Sequence, residues 1–432
     1  MHRKILICAA ILTTAIPPAR AAVVGMNSPA ESVTLERILT LPAPDRAAWR
    51  DYLERSGRQQ QADRAFVAAE LKAAGLARPG MPKDAFGARG MPLDRPDDYY
   101  ASAEALRTAD AIDSYQMPNG GWGKNLPMHD HVRRPGESFV SDNRSRFLSP
   151  GDFDAPRDPA WNYFGTLDND ATTTQLRFLA RVITAIGPDR STFYRAAFAR
   201  GIDYLLASQY PNGGWPQVWP LEGGYHDAIT FNDNATNQAL EVLEGVNEGR
   251  GIYAFTPSGM RRRVEPHIAS GLDCILAAQI TANGRRTVWC QQHDALTLRP
   301  ASGRNFEPPA QCSLESARIV SFLMELPDPS PAVIASVHAA VAWFKKTAIA
   351  GEVWRRGPAD GILVPTPGAG PIWARYYEIG TDRPVFGDRD KTIHDRVDEL
   401  SAERRRGYQW YGEAPREMLA QYASWSIAYP AH

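Results

Sequence analysis

Apolar side chains recur along most of the chain with the spacing of amphipathic helices, and the predicted helices come in pairs. In the first pair the apolar positions are Ala105, Leu106, Ala109 and Ile112, followed by Leu176, Leu179, Ile183 and Ile186. The same heptapeptide, Gln-x-Pro-Asn-Gly-Gly-Trp, follows the first helix at residues 116–122 and recurs at 209–215. A degraded third copy retains Gln279, Asn283, Gly284 and Trp289, and the helical segment 331–349 starts a further round.

The repeated unit is therefore a helix, a Gly-rich turn, a loop and a second helix, with a period longer than that of the usual helical solenoids. Helical hairpins of this kind are typical of a ring, so we predict a mainly all-α fold, an incomplete α/α toroid. The heptapeptide also has a structural interpretation. Gly and Asn permit the positive φ at which a helix stops, and Trp fills the space between neighbouring hairpins.

The first residues differ from the repeat. Residues 1–21 combine Arg3 and Lys4, the apolar run Ile5–Ile16 and the small residues Ala19 and Ala21, a pattern typical of a signal peptide. A short membrane anchor is the alternative, although the run is too short to span a bilayer. We therefore expect a secreted or periplasmic protein.

Two further segments also lie outside the repeat. Residues 28–92 are predicted to form a separate N-terminal helical segment, ended by Gly75, and a Pro/Gly-rich linker. The toroid, as catalytic domain, would then occupy residues 93–432. Within it, residues 371–390 alternate aromatic and turn residues and predict a small β-hairpin region. The long polar loop 127–162 is expected to alter the shape of any groove.

Composition and charge exclude several classes of partner. The 432 residues carry a formal net charge of −1, so the basic field of a nucleic-acid-binding protein is absent. No apolar run of membrane-spanning length follows the leader, and we predict a monomer without a nucleic-acid or membrane partner. Besides Cys8 in the leader, the cysteines are Cys274, Cys290 and Cys312, which allow at most one disulfide.

Acidic and amide side chains cluster where the second helix of each pair begins. The sequences are "TLDNDATTTQ" at Thr166–Gln175 and "TFNDNATNQ" at Thr230–Gln238. A helix N-cap explains one such residue in each segment. It does not explain clusters as dense as Asp168–Asp170 and Asp233–Asn234. If the repeats stack, both clusters reach the same mouth, where their oxygen atoms could hold Ca²⁺.

Three cationic residues stand beside Gly-rich loops: Lys124, Arg304 and Arg389. For each one alone, a solvated surface charge remains an alternative. Together with the carboxylates and with nearby Trp and Tyr side chains, they would form a groove for an anionic polymer.

Taken in order, several segments resemble the pectate lyases of polysaccharide lyase family 10. They are "PNGGWGKN", "DNDATTTQ", "YPNGGWPQVWP", "FNDNAT", "GRNFEPPAQCSLES", "WARYYEIGTDRPVFGDRDK" and "ERRRGYQWYG". The resemblance extends from about Asp98 to the C-terminus. It implies an α/α toroid, the use of Ca²⁺, and cleavage of polygalacturonate by β-elimination to unsaturated oligogalacturonides. Phe306 and Cys312 depart from the family pattern, which affects the expected substrate contacts but not Arg304.

Roles for individual residues follow from the resemblance. Arg304 resembles the catalytic base and Arg389 a second essential arginine, while Asp168 and Asp233 resemble metal-associated acids. We assign substrate binding to Lys124, Asn125, Asn169, Tyr377 and, again, Arg389. A base of this kind is chemically demanding, because the pKa of arginine lies above about 12 and the side chain must be neutral to accept a proton.

Two other functions remain open from the residues alone. One is an inverting glycoside hydrolase on the same toroid, with Asp168 and Asp233 as its carboxylate pair. The other is a secreted pectin-binding protein without activity. The products distinguish them, because only a lyase creates a carbon–carbon double bond that absorbs in the ultraviolet.

Overall fold

A computed structural model describes residues 23–82, 90–129, 131–156, 158, 160–357 and 360–431, so the predicted signal peptide lies outside the described residues. The α-helices are α1 (Leu35–Ile38), α2 (Ala43–Ala74), α3 (Ala103–Ser114), α4 (Thr173–Ile186), α5 (Thr192–Ser208), α6 (Ala235–Glu248), α7 (Ser258–Ala278), α8 (Ser313–Glu325), α9 (Pro331–Thr347), α10 (Ala402–Gly407) and α11 (Ala414–Ala428). Short 3-10 helices span Asp97–Ala101, Asp168–Asp170, Gly224–Asp227, Asn232–Asn234, Gly251–Tyr253 and Val397–Glu399.

The strands are short. They are β1 (Val23–Met26), β2 (Ile229–Thr230), β3 (Thr281–Ala282), β4 (Arg285–Arg286), β5 (Gln292–His293), β6 (Pro300–Ala301), β7 (Gln311–Cys312), β8 (Glu352–Arg356), β9 (Gly361–Pro365), β10 (Trp373–Ala374), β11 (Tyr376–Tyr377), β12 (Phe386–Gly387), β13 (Thr392–His394) and β14 (Tyr411–Gly412). They form two- and three-stranded sheets, and all strands except β1, which precedes α1, lie in the loops between helices.

The helices form two layers. In one layer α4, α6, α8 and α11 contact one another in that order, and α3, α5, α7 and α9 form the other layer. Hairpin contacts join α4 to α5, α6 to α7 and α8 to α9. The apolar faces of α4, α6 and α8 are buried along most of their length. This arrangement confirms the predicted all-α fold, an incomplete α/α toroid.

The tryptophan of each heptapeptide joins its turn to the helix before it. In every round the indole Nε1 donates to a backbone carbonyl of that helix: Trp122 to Ile112 (2.7 Å), Trp215 to Leu205 (2.9 Å), Trp289 to Ile275 (2.7 Å) and, in a fourth round, Trp373 to Phe344 (2.9 Å). All four rings are fully buried. The tryptophans therefore have the structural role that the repeat predicts.

The glutamine of each heptapeptide joins one round to the next. Its amide donates to its own turn and to the first helix of the following round: Gln116 to Gly120 and Ala197, Gln209 to Gly213 and His267, and Gln279 to Thr287 and Ser336. Gly120 and Gly213 have φ of 93° and 88°. A Cβ at Gly213 would lie 1.9 Å from the carbonyl oxygen of Ser270, so only glycine allows this approach.

The N-terminal segment corrects the predicted domain boundary. α2 ends at Gly75, which has φ of 66°, as the sequence predicts. However, Trp49 and Tyr52 pack against Tyr210, with ring centroids 5.0 and 4.7 Å apart, and belong to the core of the toroid. Because α2 has few apolar side chains, it buries a narrow stripe that cannot form a core of its own. Residue 93 therefore does not separate two cores.

The C-terminal β region is present, but its pairing is less local than predicted. β10 pairs with β14 and β11 with β7, whereas β12 pairs with β13 and β13 also with β1. The longest hairpin, β8–β9, lies upstream of the predicted segment. The three cysteines in the described part of the chain are buried free thiols. None of its described helices combines the length and apolar character needed to cross a membrane.

Candidate active site

The two acidic clusters meet, as the stacking of repeats predicts. The 3-10 turns that precede α4 and α6 are in contact. The amide Nδ2 of Asn232 donates to Asp168 Oδ1 and to Asp233 Oδ2, both at 3.1 Å. Within the described residues, neither α4 nor α6 has a side-chain hydrogen bond at its N-cap. The carboxylates are therefore directed to a shared site instead of capping their own helices.

Backbone strain marks both turns. Asn169 and Asp170 have φ of 53° and 63°, and Asp233 and Asn234 have φ of 50° and 64°. Asn and Asp tolerate left-handed conformations better than most residues, but usually as single residues, and such conformations concentrate at functional sites. The same distortion in two rounds thus points to a functional requirement on these turns.

Asp168 and Lys124 form a buried ion pair. The Lys124 ammonium donates to Asp168 Oδ2, and the side chain of Asp168 is 7% exposed. Gln217 donates to Asp168 Oδ1 at 2.8 Å. Burial alone would raise the pKa of Asp168, but Lys124, with further help from Arg304, lowers it below its ordinary value. Asp168 is therefore an anion in the folded protein.

The predicted substrate-binding asparagines lie beside this pair. Asn169 Nδ2 donates to Asn125 Oδ1 at 3.2 Å, and Asn125 Nδ2 donates to Asn143 Oδ1 at 3.1 Å. Lys124 also lies 3.4 Å from the centroid of the Tyr163 ring, a cation–π contact. Lys124, Asn125 and Asn169 are thus brought together with Asp168 and Asp233.

Arg304 is paired with a buried carboxylate in its own loop. Its Nη2 donates to Glu307 Oε1 at 2.6 Å, while its side chain stays 39% exposed. Tyr408 donates to the same oxygen at 2.7 Å. Partial burial acts to lower the pKa of Arg304, but Glu307 outweighs it and raises that pKa well above the usual value. Before substrate binds, Arg304 is a cation.

Arg389 lies next to Arg304. Both guanidinium carbons lie over the Phe306 ring, at 4.8 Å for Arg304 and 5.4 Å for Arg389. Glu403 accepts two hydrogen bonds from Arg389, at 2.8 and 3.2 Å. Burial would raise the pKa of Glu403, but hydrogen bonds from Arg404 and Arg389 lower it to about 2. The two predicted catalytic arginines therefore share one aromatic platform.

Arg375 connects the two halves of the site, and sequence analysis missed it. Its Nη2 donates to Glu315 and lies 3.4 Å from Asn232 Oδ1, and its guanidinium lies 4.7 Å from the Tyr408 ring. It therefore extends from the Asp168 cluster towards the Arg304 cluster. Arg375 lies in the segment "WARYYEIG", which resembles the family, two residues before Tyr377, to which substrate binding was assigned.

That tyrosine assignment is wrong. Tyr377 is 1% exposed, its hydroxyl donates to the Thr347 carbonyl at 3.1 Å, and its ring packs on Trp343. β10 and β11 pair with different partners, and between them Arg375 N donates to the Trp410 carbonyl. Because the strand is interrupted at Arg375, simple alternation cannot give the directions of these side chains.

The loop 127–162 lies against the two arginines. Asn305 Nδ2 donates to Asp152 Oδ1 and to the Arg389 carbonyl, both at 2.7 Å, and Asn305 Oδ1 accepts from Phe153 N at 2.9 Å. Phe147 packs under the Arg389 guanidinium at 4.7 Å. The loop therefore forms part of the site, as the sequence led us to expect.

Comparison with known proteins agrees with this geometry. Residues 116–419 match a family described as pectic acid lyase. A family 10 polysaccharide lyase from Cellvibrio cellulosa is 32% identical, over 77% of this chain and 97% of that one, with a TM-score of 0.64. A mutant family 10 lyase from the same organism, in complex with trigalacturonic acid, is 32% identical over 79% of this chain and all of its own, also with a TM-score of 0.64. No curated protein matches.

Fold, site and matches together define an enzyme of the polysaccharide lyase class. The chain belongs to the pectic acid lyase family, polysaccharide lyase family 10, and is a pectate lyase. This confirms the function predicted from the sequence, against the glycoside hydrolase and the inactive pectin-binding protein.

A buried acid beside the site predicts a pH effect on stability. Burial raises the pKa of Glu222 from 4.5 to about 8, and its Oε1 accepts from Phe164 N at 3.3 Å. Between these values the unfolded chain has lost a proton that the folded protein keeps, so the free energy of unfolding falls as pH rises. Glu222→Gln keeps the acceptor and should remove this fall. The difference in free energy of unfolding between Glu222→Gln and the wild type should grow from about pH 4.5 to 8, in favour of the variant, and then stay constant.

Denaturant unfolding across this pH range measures the effect. Glu248→Gln, at a side chain 53% exposed, is the control and should follow the wild-type curve. Parallel curves for Glu222→Gln and the wild type would contradict the assignment.

Proposed function

We propose that this pectate lyase cleaves polygalacturonate by calcium-assisted β-elimination, with Arg304 as the base that takes the C5 proton. The electron pair of the C5–H bond forms the C4–C5 double bond, the glycosidic oxygen leaves C4, and the departing oxygen takes up a proton. The observation that carries the proposal is the pair of guanidiniums on Phe306, with Arg304 near enough to Asp168 to lower its pKa.

The cations of the site suit the charge that develops. Removal of the C5 proton places negative charge on the adjacent carboxylate, and fixed cations stabilise that charge more strongly than the ground state. We assign this stabilisation to Arg389 and Arg375, and the binding of a neighbouring galacturonate carboxylate to Lys124. Asn125 and Asn169 would donate to or accept from sugar hydroxyls at the same edge.

Arg304 must lose its own proton before it can accept another. Glu307 opposes this loss, because it raises the pKa of Arg304. Nearby cations favour the neutral form, since like charges lower the pKa of a basic group. Arg389, on the same ring as Arg304, acts in this direction, and an alkaline medium would increase the neutral fraction further.

The oxygen atoms near Asp168 could supply some, but not all, of the ligands of a hard cation. Asp168 and Asp233 approach the same amide, and Gln217 Oε1 is buried without a partner among the described residues. Those residues contain no group of three or more His, Cys, Asp or Glu that could hold a metal. Ca²⁺ takes about six to eight oxygen ligands, so substrate carboxylates and water would complete the shell. When bound, Ca²⁺ would withdraw charge from the carboxylate next to the C5–H bond.

The ionised state of Asp168 argues against its use as the general acid of a glycoside hydrolase. An inverting glycoside hydrolase needs one carboxylic acid with a raised pKa to protonate the leaving group. Lys124 instead lowers the pKa of Asp168 and keeps it charged. Asp168 is therefore unsuited to be the acid of such a pair.

The reaction and its metal can be tested in one assay. Ultraviolet absorbance from the unsaturated product should rise with polygalacturonate, disappear with excess chelator and return with added Ca²⁺. Asp233→Ala should need more Ca²⁺ for half-maximal rate while remaining folded, because it removes one of two protein carboxylates.

Asp328→Ala, at an exposed position after α8, is the matched control and should keep the wild-type Ca²⁺ requirement. Full activity in excess chelator would contradict the use of calcium. Release of reducing ends without new absorbance would contradict β-elimination.

The proposal also covers the location of the enzyme and its oligomeric state. The pattern of residues 1–21 supports export, and polygalacturonate is a polymer encountered outside the cell that would make the enzyme. We propose that the mature chain acts as a monomer.

A further inference from the structure

Asn27, immediately after β1, holds the backbone of the Arg304 loop. It is 5% exposed. Its Nδ2 donates to the carbonyls of Arg304 (3.2 Å) and Asn305 (2.9 Å), and its Oδ1 accepts from Ser302 Oγ at 2.7 Å. One buried side chain therefore satisfies three polar groups in four consecutive residues of that loop.

The same residue also reaches the Arg389 loop. Its backbone N donates to the Lys391 carbonyl at 2.8 Å. β1 pairs with β13, and β13 pairs with β12, so residues 388–391 form the connection between two strands of this sheet. Asn27 thus joins the loop of Arg304 to the loop of Arg389.

Other contacts of the N-terminal segment reach the turn Gly224–Asp227, which lies beside the site. Ser32 Oγ accepts from Gly224 N at 2.7 Å, and Val33 N donates to Asp227 Oδ2 at 3.0 Å. These bonds hold the turn that carries Tyr225, whose hydroxyl lies 3.2 Å from that of Tyr163. The match to the pectic acid lyase family begins at residue 116, so none of these N-terminal residues belongs to the matched region.

We propose that Asn27 is a positioning residue for catalysis, which sets the place of the Arg304 guanidinium relative to Arg389. The inference rests on the proposed role of Arg304. Arg304 lies in a segment without regular secondary structure, and Glu307, its ion-pair partner, belongs to the same loop. That pair lies within the loop, which Tyr408 contacts through Glu307 and which Asn27 contacts from the end of a paired strand. A displacement of about 1 Å can lower a rate by about 100-fold.

Two variants in the full chain test the proposal. Asn27→Ala removes all three side-chain bonds, and Asn27→Asp keeps the size and the acceptor for Ser302 but places a carboxylate against two carbonyls. Both should reduce kcat on polygalacturonate by about 10- to 100-fold with KM changed by less than about 2-fold, because the alignment of the base is lost while the substrate-binding cations remain.

Tyr52→Phe is the matched control. It removes another buried hydrogen bond of the N-terminal segment, from the Tyr52 hydroxyl to the Ser208 carbonyl at 2.7 Å, far along the chain from the arginines. It too should lower thermal stability, while its kcat should equal that of the wild type. If Asn27 were merely structural, the two variants would have the same kcat.

A double variant separates this inference from the proposed function. In the Arg304→Ala background, Asn27→Ala should cause no further loss of the residual rate, because it acts through Arg304. Wild-type kcat in folded Asn27→Asp, or additive losses in the double variant, would overturn the positioning role. If Arg304→Ala itself kept its activity, the assignment of the base would fail instead. Circular dichroism establishes that each variant is folded, and Asn27→Asp serves if Asn27→Ala does not fold.

Discussion

Arg304→Lys and Arg304→Ala are both expected to cut turnover on polygalacturonate by about 10²- to 10⁴-fold, the usual cost of a lost general base. Lysine keeps a positive charge, but it lacks the planar guanidinium that pairs with Glu307 and stacks on Phe306. If Arg304 served for binding alone, lysine would restore much of kcat and the loss would fall on KM. The measurement is the initial rate of product absorbance over a range of substrate concentrations.

The pH profile gives a second readout of the same prediction. The wild-type rate should climb into the alkaline range, because Glu307 raises the pKa of Arg304 and only the neutral form accepts a proton. Arg263→Ala, on the exposed face of α7 and paired with Asp203, is the charge-matched control and should leave the profile unchanged. A lysine variant with near wild-type turnover, or a wild-type optimum in mild acid, would remove Arg304 from this role and leave Arg389 or Lys124.

Asp168→Ala is expected to lower the free energy of unfolding by about 3–5 kcal/mol, because it leaves Lys124 as a buried cation without a partner. The side chains of this pair are 11% and 7% exposed. Asp233→Ala should cost far less stability, because Asp233 is only partly buried whereas Asp168 is buried. Denaturant unfolding of both variants, with and without Ca²⁺, measures the difference.

A second substitution provides the control for this result. Lys124→Met in the Asp168→Ala background removes the stranded charge and should restore much of the lost stability, as replacement of buried ion pairs by apolar groups does in other proteins. Activity should remain absent, because neither the carboxylate nor the cation returns. Equal losses for Asp168→Ala and Asp233→Ala would contradict the buried pair as a structural element.

The structure explains why phenylalanine is suitable at position 306, where the sequence departs from the family pattern. The ring lies under three guanidiniums, those of Arg304, Arg389 and Arg404, at 4.8, 5.4 and 4.3 Å. The attraction depends on the face of the aromatic ring. Phenylalanine therefore preserves the support for both proposed catalytic arginines.

Local sequence determined the helices and their turns. The 3.6-residue period located α3 to α9, and the heptapeptide fixed where the helices stop, because helical hydrogen bonds and glycine conformations depend on neighbours in the chain. The acidic turns before α4 and α6 could likewise be recognised as equivalent, which predicted that Asp168 and Asp233 would meet.

Tertiary structure alone decided which side chains complete the site. Asn232 and Arg375, which connect the two clusters, are 143 residues apart, and Asn27 lies 277 residues before Arg304. Tyr377 was assigned wrongly because the strand pairing that turns it towards α9 is set by distant segments. Periodicity records which face of an element is buried, whereas hydrogen bonds between loops depend on how the rounds of the toroid stack. The sequence therefore specified the arginines and acids, and the packing of the N-terminal segment and the loops specified how they are held.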